Sequence, residues 1–440
     1  MQRVAVIGSG ISGLAAAWQL SAPGAQARVT LFEAGAYFGG HANTVDLTLD
    51  GVTHGVDTGF LVYNERCYPQ LIRLFGELGV EVAKSDMSFS VQVPEADGRA
   101  GLEWSGSSFD SLFAQRRNLL RPRFWRMLAD IVRLNRLCTQ VAEAEGDAAL
   151  ALQSTQDFLD EHRFSASFRQ DYLLPMIGCI WSCPTEQMLS FPIGTLIRFC
   201  ANHGLIQLAN RPQWHTVRGG SRNYVRRMLE RIADARLNTP VRGVQRFEGG
   251  VRVQLDSGSE PFDAVVFACH PDQALRLLGH EASALERQVL GAIRYQPNTA
   301  VLHTDTSVLP TRRKAWAAWN YERASTEPQE QARVCLHYML NRLQPLPWQQ
   351  PVLVSLNPAR PIDEAHVHQR IDYAHPVFDL AAIEAQRHVP LLQGQQRSWF
   401  CGAWTCYGFH EDGLRSGLSA AAMIERALPL ITQFSALDAA

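Results

Sequence analysis

Arg3-Val4-Ala5-Val6-Ile7-Gly8-Ser9-Gly10-Ile11-Ser12-Gly13 is the stretch that decides the fold. A β-branched run reads as a buried strand, a glycine-rich turn follows without a gap, and Leu14 to Leu20 reads as an alanine-rich helix. Arg28 to Phe32 is a second apolar strand, closed by Glu33. Together they make a βαβ unit about thirty residues long, beginning at residue 1. In it Gly8 permits the tight turn, Gly10 lets the backbone approach a pyrophosphate, and Gly13 lets the helix pack close to the strand. Ser12 and its neighbours offer free amides at the positive end of a helix dipole. Glu33, followed by Ala34, is placed to accept from a ribose 2′-hydroxyl; a carboxylate there argues against NADP, whose phosphate it would repel. These signals point to a dinucleotide without separating NAD from FAD.

The chain around this unit has 440 residues, more than one ordinary domain holds. Hydrophobic residues make up 46% and charged residues 19%, which supports a large core and excludes a disordered chain. The net charge of −2 excludes a globally basic nucleic-acid binder. Lys84 and Lys314 are the only lysines, so lysine chemistry has at most two candidates. Nine cysteines without a repeated CxxC pattern fit a reducing cytoplasm, the expected location. Cys179-x3-Cys183 and Cys401-x4-Cys406 lack histidine neighbours and read as buried thiols. No apolar run reaches the ~18 residues of a membrane-spanning helix. The first strand, broken at Gly8, does not read as a signal peptide.

Thr44 to Leu49 alternates apolar and polar, Asp50-Gly51 is a preferred two-residue hairpin turn, and Val52 begins the return strand. Tyr68 to Leu78 reads as an amphipathic helix with Leu71, Leu74, Phe75 and Leu78 on one face. Residues 109–200 read as largely helical. From Val241 the period becomes two, and Val241 to Glu248, Val251 to Leu255 and Phe262 to Ala268 read as a three-stranded meander. Trp399 to Gly402 is a last short strand, and a helix from about Gly413 to Leu428 closes the core.

Three more segments extend the nucleotide reading. Gly39-Gly40 follows soon after Glu33 and leads through His41-Ala42-Asn43-Thr44 into the hairpin. Gly402-Ala403-Trp404 and Gly408-Phe409-His410-Glu411-Asp412-Gly413-Leu414-Arg415-Ser416-Gly417 form a glycine-rich strand end leading into a helix. Gly219-Gly220 precedes Tyr224, Val225, Met228 and Leu229, then Thr239-Pro240-Val241. In these segments the chain resembles the FAD-dependent amine oxidase superfamily, which also holds protoporphyrinogen oxidases and phytoene desaturases. That family carries R-x-G-G-R where this chain has Tyr37-Phe38-Gly39-Gly40-His41: the glycines match and both arginines are absent. The resemblance implies FAD as cofactor. It implies contacts from Gly8, Gly10, Ser12, Gly13, Glu33, Ala34, Gly39, Gly40, His41, Asn43, Thr44, Val241, Gly402, Glu411, Asp412 and Gly413, with the Val241 backbone against adenine. The last helix is implied to point its N-terminus at the flavin pyrimidine. Asp412 stands where many relatives have glycine, placed either to cap that helix or to weaken its field. Within the superfamily the chain is similar to a bacterial group of NAD/FAD-binding proteins. The matching segments are His41 to Thr44, Asn357-Pro358-Ala359-Arg360-Pro361, His375-Pro376-Val377-Phe378 and Gly408 to Gly413. That likeness implies a fold and a cofactor, not a reaction.

The implied class is α/β. A discontinuous Rossmann-type FAD-binding domain (1–85, 211–275 and 390–440) carries an inserted, largely helical α+β substrate domain (86–210 and 276–389). Flavin enzymes ask the protein mainly for positioning and a base. His41 and His410 are the candidate bases. Trp404, with Tyr407 and Phe409, is the candidate aromatic wall, though each also suits an ordinary core. Lys314 is the one match for the lysine-bound water of many family members, yet it also suits a solvated turn. Cys401, Cys406 and His41 are candidates for covalent flavin attachment. His366, His368 and His375 have no evident acid or cysteine partner, so no metal is expected.

Residues 116–136 hold Arg116, Arg117, Arg121, Arg123, Arg126, Arg133 and Arg136 against Asp130 alone. Pro122 suits a first helical turn. Phe124, Met127, Leu128, Ile131, Leu134, Cys138 and Val141 recur at helical spacing, with Arg123, Arg126, Asp130 and Arg133 on another face. A cationic amphipathic helix of this kind is a candidate peripheral contact with an anionic membrane, or a core-facing helix with a solvated side. The expected function is oxidation or desaturation of an apolar substrate by hydride transfer to flavin N5, with an unsaturated or modified acyl chain, lipid-bound, as the substrate class. Left open are a flavin-dependent double-bond isomerase, a soluble amine oxidase, a non-catalytic flavin- or lipid-binding protein, and the electron acceptor.

Overall fold

The strand Gln2–Ile7 lies at the centre of a five-stranded parallel sheet in a computed structural model of the chain, which describes residues 1–94, 100–143, 153–181, 189–204, 212–323 and 334–437. The order across the sheet is Asp234–Arg236, Ala27–Phe32, Gln2–Ile7, Ala264–Phe267 and Ser398–Phe400. Continuous apolar strands suit a sheet covered on both faces. The helices Ile11–Leu20 and His410–Leu437 cover one face through Leu14, Ala420 and Ile424. The meander and the helices Pro271–Leu278, Ala284–Ala292 and Leu380–Leu392 cover the other. Ala284–Ala292 and the first part of Leu380–Leu392 lie in the stretch 276–389, which the sequence reading gave to the substrate domain. The first and last helices meet backbone to backbone, because a Cβ on Gly417 would fall 2.1 Å from the Ser12 carbonyl oxygen.

The hairpin Thr44–Leu49/Val52–Asp57 forms as expected, with both Asp50 (φ 51°) and Gly51 (φ 76°) left-handed. The helix Pro69–Leu78 buries Leu71, Leu74 and Phe75. The meander differs from its sequence reading. Its third strand is Gly258–Phe262, and Ala264–Phe267 leaves it to join the parallel sheet beside Gln2–Ile7. Ala264-Val265-Val266-Phe267 is apolar throughout, as burial on two faces demands; a meander edge has one wet face.

The second half of the molecule is built on a seven-stranded sheet, larger than the sequence reading implied. Its order is Val367–Pro376, Tyr295–His303, Leu353–Leu356, Cys335–Met339, Trp319–Glu322, Phe89–Pro94 and Ala100–Ser105. Only the Phe89–Pro94/Trp319–Glu322 pair is parallel. Helices within residues 109–202, among them Pro122–Glu143, Leu174–Trp181 and Ile193–Asn202, share a core with it. The helix Pro122–Glu143 starts at its proline and buries Phe124, Met127, Leu134 and Cys138. Val141 and Cys183 lie outside the residues whose side chains are described. Asp130 is not on the solvated face: it is buried, 3.1 Å from Arg133, and accepts from the Ser165 amide at 3.0 Å. Among the described residues no helix is long and apolar enough to cross a membrane.

Candidate functional site

A cavity of about 870 Å³ runs from the first glycine turn, past the start of the last helix, to the face of the seven-stranded sheet. At its first end the Gly39 amide donates to the Ser9 carbonyl at 3.1 Å, which lays the Gly39-Gly40 turn against the Gly8–Gly13 turn. Glu33 secures the junction. Its Oε2 accepts from the Ser9 amide (3.0 Å) and hydroxyl (2.5 Å), and its Oε1 from the Gly35 amide (2.8 Å). A carboxylate has about four acceptor positions, so one remains for a ligand hydroxyl.

Gly8, Gly10, Ser12, Glu33, Ala34, Gly39, Gly40, His41, Val241, Gly402, Trp404 and His410 lie on the cavity wall. Six other residues from the motifs do not, and support the wall from behind. A Cβ on Gly13 would stand 1.9 Å from the Gly8 carbonyl oxygen, so this glycine sets the helix against the turn. Asn43 donates to the Tyr373 hydroxyl at 3.1 Å, and Thr44 donates to Asp57 at 2.6 Å. Glu411 accepts from the Gln70 and Leu71 amides (2.9 and 3.0 Å) and so caps the helix Pro69–Leu78. Asp412 accepts from the Phe409 amide at 3.0 Å and from the Tyr407 amide at 3.2 Å, capping its own helix. Gly413 sits against Ile11.

The wall fits a dinucleotide. A Cβ on Gly10 would meet nothing within 4 Å, so the missing side chain opens the helix N-terminus directly onto the cavity. The helices Ile11–Leu20 and His410–Leu437 both begin there, aiming unpaired amides and positive dipole ends inward.

Four histidines surround the middle of the cavity. His41 stacks on Tyr373 (centroids 4.8 Å apart) and lies 5.1 Å from the His375 ring, and its Nε2 is shut off from solvent with no partner. Burial, then the neighbouring His375, His270 and His410, hold it well below the usual histidine range, so it is neutral at pH 7. His410 is tied more tightly: its Nε2 is 2.6 Å from the Tyr224 hydroxyl and its ring stacks on Phe60 at 3.9 Å. Burial lowers it to about 3. Burial likewise lowers His270 and His375 to about 4, and His375 Nδ1 accepts from the Asn298 amide at 2.7 Å. Arg276, 2.6 Å from Asp272, is the one lysine or arginine among the described residues on the wall.

The far end is aromatic and apolar. Phe409 stacks on Phe199 at 4.9 Å, Trp181 lies 4.6 Å from Phe199 and donates to the Tyr407 carbonyl at 3.3 Å, and Met176 and Trp319 complete the wall. Trp404 is buried in the cofactor-side core and donates to the Cys269 carbonyl at 3.3 Å. Tyr407 and Phe409 were legible as aromatic neighbours of a motif; Trp181, Phe199 and Trp319 carried no local signal. Lys314 is not near the cavity: it is exposed and pairs with Asp110 at 2.8 Å. Cys401 is buried off the wall, and Cys406 is half-buried and likewise not on it.

Two buried polar groups escaped sequence reading. Asp57 accepts from the Ser221 amide and hydroxyl, the Thr44 hydroxyl and the Gln344 amide, joining the hairpin, the Gly219-Gly220 turn and the substrate lobe. On the opposite face of the seven-stranded sheet, Glu322, Cys335 and His337 bring metal-ligating types together. Glu322 is already engaged by His337 at 2.9 Å and by Arg360 at 2.7 Å.

Residues 11–340 match the family described as flavin containing amine oxidoreductase. The chain belongs to this family. Its cofactor is FAD, which the glycine turns and paired helix ends fit, and the protein is a FAD-dependent oxidoreductase. The family member shares its fold with wild-type putrescine oxidase bound to putrescine (18% identity, TM-score 0.62, 96% of this chain and 98% of that one). It likewise resembles a putative protoporphyrinogen oxidase from Exiguobacterium sp. 255-15 (16%, 0.66, 96% and 98%). A third fold match is a CLA-producing fatty acid isomerase from P. acnes (14%, 0.65, 97% and 98%). No curated protein matches the chain.

Proposed function

We propose that this oxidoreductase oxidises or desaturates an apolar substrate, an acyl chain or a molecule carrying one. The observation that carries the reading is the far wall of the cavity. The charged residues among those lining the whole cavity are Glu33, Arg276 and Asp372. Glu33 and Arg276 stand at the glycine end, and Asp372 is an exposed side chain that accepts from Thr299. Burying an ammonium group beside Phe199, Trp181 and Met176 without a carboxylate would cost several kcal/mol, about 3 or more. An alkyl chain there loses only water.

FAD, when bound, supplies the two-electron acceptor; the chain's own part is to bind, orient and deprotonate. The aromatic wall excludes water from the reacting carbon. His41 is the group assigned to take the proton, at Nε2, because it is neutral, on the wall and without a partner. His410 is assigned to positioning, because Tyr224 and Phe60 already hold its ring.

The test is anaerobic mixing of the FAD-loaded protein with unsaturated phospholipid or free fatty acid, and separately with putrescine and cyclohexylamine. Bleaching of the visible flavin band by the acyl substrates alone is the expected result. Bleaching by the amines alone would overturn the reading. A shifted double bond with no acceptor consumed would keep the substrate class and replace oxidation with isomerisation.

A further inference from the structure

The segment 108–126 carries a concentrated apolar patch on the outside of the substrate lobe. Phe109 is 68% exposed, Leu120 87%, Trp125 47% and Leu119 39%. Isolated exposed apolar residues need no explanation, but four within one short segment do. The two aromatic rings among them are also held in place. The Phe109 ring lies 4.8 Å from Phe113, Phe113 lies 5.3 Å from Trp125, and the Trp125 indole donates to the Leu119 carbonyl at 2.9 Å. The aromatic part of the patch is thus set before it meets a partner.

The same segment is rich in cations. Arg116 and Lys314 share Asp110. Arg117 and Arg121 lean on the Gly101 carbonyl at 2.8 and 3.4 Å. Arg123 reaches Asp171 at 3.0 Å, and Arg126 is exposed on the next turn. Among the described residues, five arginines and a lysine thus accompany the patch, and Arg116, Lys314 and Arg123 pair with the exposed Asp110 and the buried Asp171. An apolar tip accompanied by cations complements a surface whose apolar interior lies beneath a layer of anionic phosphates.

We infer that the tip formed by Phe109, Leu119, Leu120 and Trp125 docks on an anionic lipid bilayer, with Arg116, Arg117, Arg121, Arg123 and Arg126 at the level of the lipid phosphates. Guanidinium forks suit phosphate oxygens, and an indole suits the headgroup boundary. Behind the tip, Phe124 and Met127 belong to the same apolar cluster as Trp181 and Phe199 of the cavity wall, so the docked face and the substrate end belong to one lobe. The inference rests on the proposed function for what the surface delivers, an acyl substrate.

Flotation of the FAD-loaded protein with phosphatidylcholine vesicles and with vesicles containing phosphatidylglycerol tests it. Binding to the anionic vesicles alone, weakened by salt, is expected. The double variant Leu120→Ser/Trp125→Ser should bind about tenfold more weakly or worse. Arg126→Gln should bind about fivefold more weakly. Leu391→Ser, an exposed apolar site on another helix, should bind as the unaltered protein does. Unchanged flavin absorbance and melting confirm that each variant is folded. Equal binding to neutral and anionic vesicles, no binding, or unaltered binding by the double variant would each overturn the inference. So would a dimer of the unaltered protein that the double variant converts to monomer, because a second copy would then cover the patch. The readout needs no turnover. A protein that oxidises acyl chains but floats with no vesicle overturns this inference alone, and one that floats but oxidises only amines overturns the functional reading alone.

Discussion

The two ends of the cavity are built by opposite means. The cofactor end is made of backbone: glycine turns, helix N-termini and one carboxylate, nearly all within 40 residues of the chain start and one stretch near its end. The far end is made of side chains: Phe89, Phe199, Trp319 and Phe409 arrive from separate parts of the fold, and Met176 and Trp181 from one helix, Leu174–Trp181. Backbone contacts are indifferent to what the substrate is, and the proposed function puts specificity in the side-chain wall. The difference predicts that variants at one end release or retain FAD, and variants at the other change what is oxidised.

The largest effect is expected from Glu286→Ala. Arg246 and Glu286 form a pair almost fully buried (3% and 2% exposed), at 2.7 Å, between the meander and the helix Ala284–Ala292. Removing one partner strands the other charge at a cost of about 3–5 kcal/mol, so melting should drop sharply and FAD should be lost with the fold. Retained FAD with a large drop in melting would show that the cofactor end does not depend on this frame.

Next is His41→Asn. With FAD retained, turnover should fall about 100-fold, and the acid limb of the pH profile should vanish. Loss of FAD instead would place His41 with the backbone end as a cofactor clamp.

Acid stability is a third probe. Histidines held at about 4 (His203, His270, His303, His375) and about 3 (His410) stay neutral when folded, and their unfolded forms protonate near 6.5. The unfolded chain then binds more protons, so stability is lost as pH falls from about 6.5 toward 4. The carboxyls of Asp57, Glu411 and Asp412, raised by burial, oppose this over part of the window. The histidines outnumber them, and a net loss of at least about 1.4 kcal/mol per pH unit, one proton's worth, is expected in thermal melts of the FAD-loaded protein. A melting temperature that rises between pH 6.5 and 4.5 would contradict the neutral-histidine assignment.

The smallest effect is expected from Phe409→Leu, which trims the stack on Phe199. FAD should be retained and acyl-substrate affinity should fall about fivefold, the worth of one aromatic contact. A change in FAD affinity without a change in substrate affinity would erase the distinction between the two ends.

How much of this was legible follows the same division. Gly8, Gly10, Gly13 and Glu33 were readable because strand, turn and helix are contiguous, and local sterics alone dictate glycine there. Glu411 and Asp412 were readable as residues of a motif but not in their role. Glu411 caps a helix that begins more than 300 residues earlier, and only the packing of Pro69–Leu78 beside the last helix reveals it. Ala264–Phe267 was readable as a strand and misplaced, since the meander and the parallel sheet compete for it and long-range pairing decides. Lys314 matched a family residue type, and its surface pair with Asp110 shows that type without position carries little.

By itself, then, the chain's sequence determined the dinucleotide turn, the βαβ unit and the hairpin, because each rests on steric and hydrogen-bonding demands met within a few consecutive residues; FAD rather than NAD was legible only through the family resemblance of segments far apart in the chain. Tertiary structure alone decided the seven-stranded sheet, the Asp57 junction, the burial of the cavity histidines and the aromatic far wall. These depend on desolvation, and a side chain's desolvation is set by neighbours that the chain supplies from hundreds of residues away.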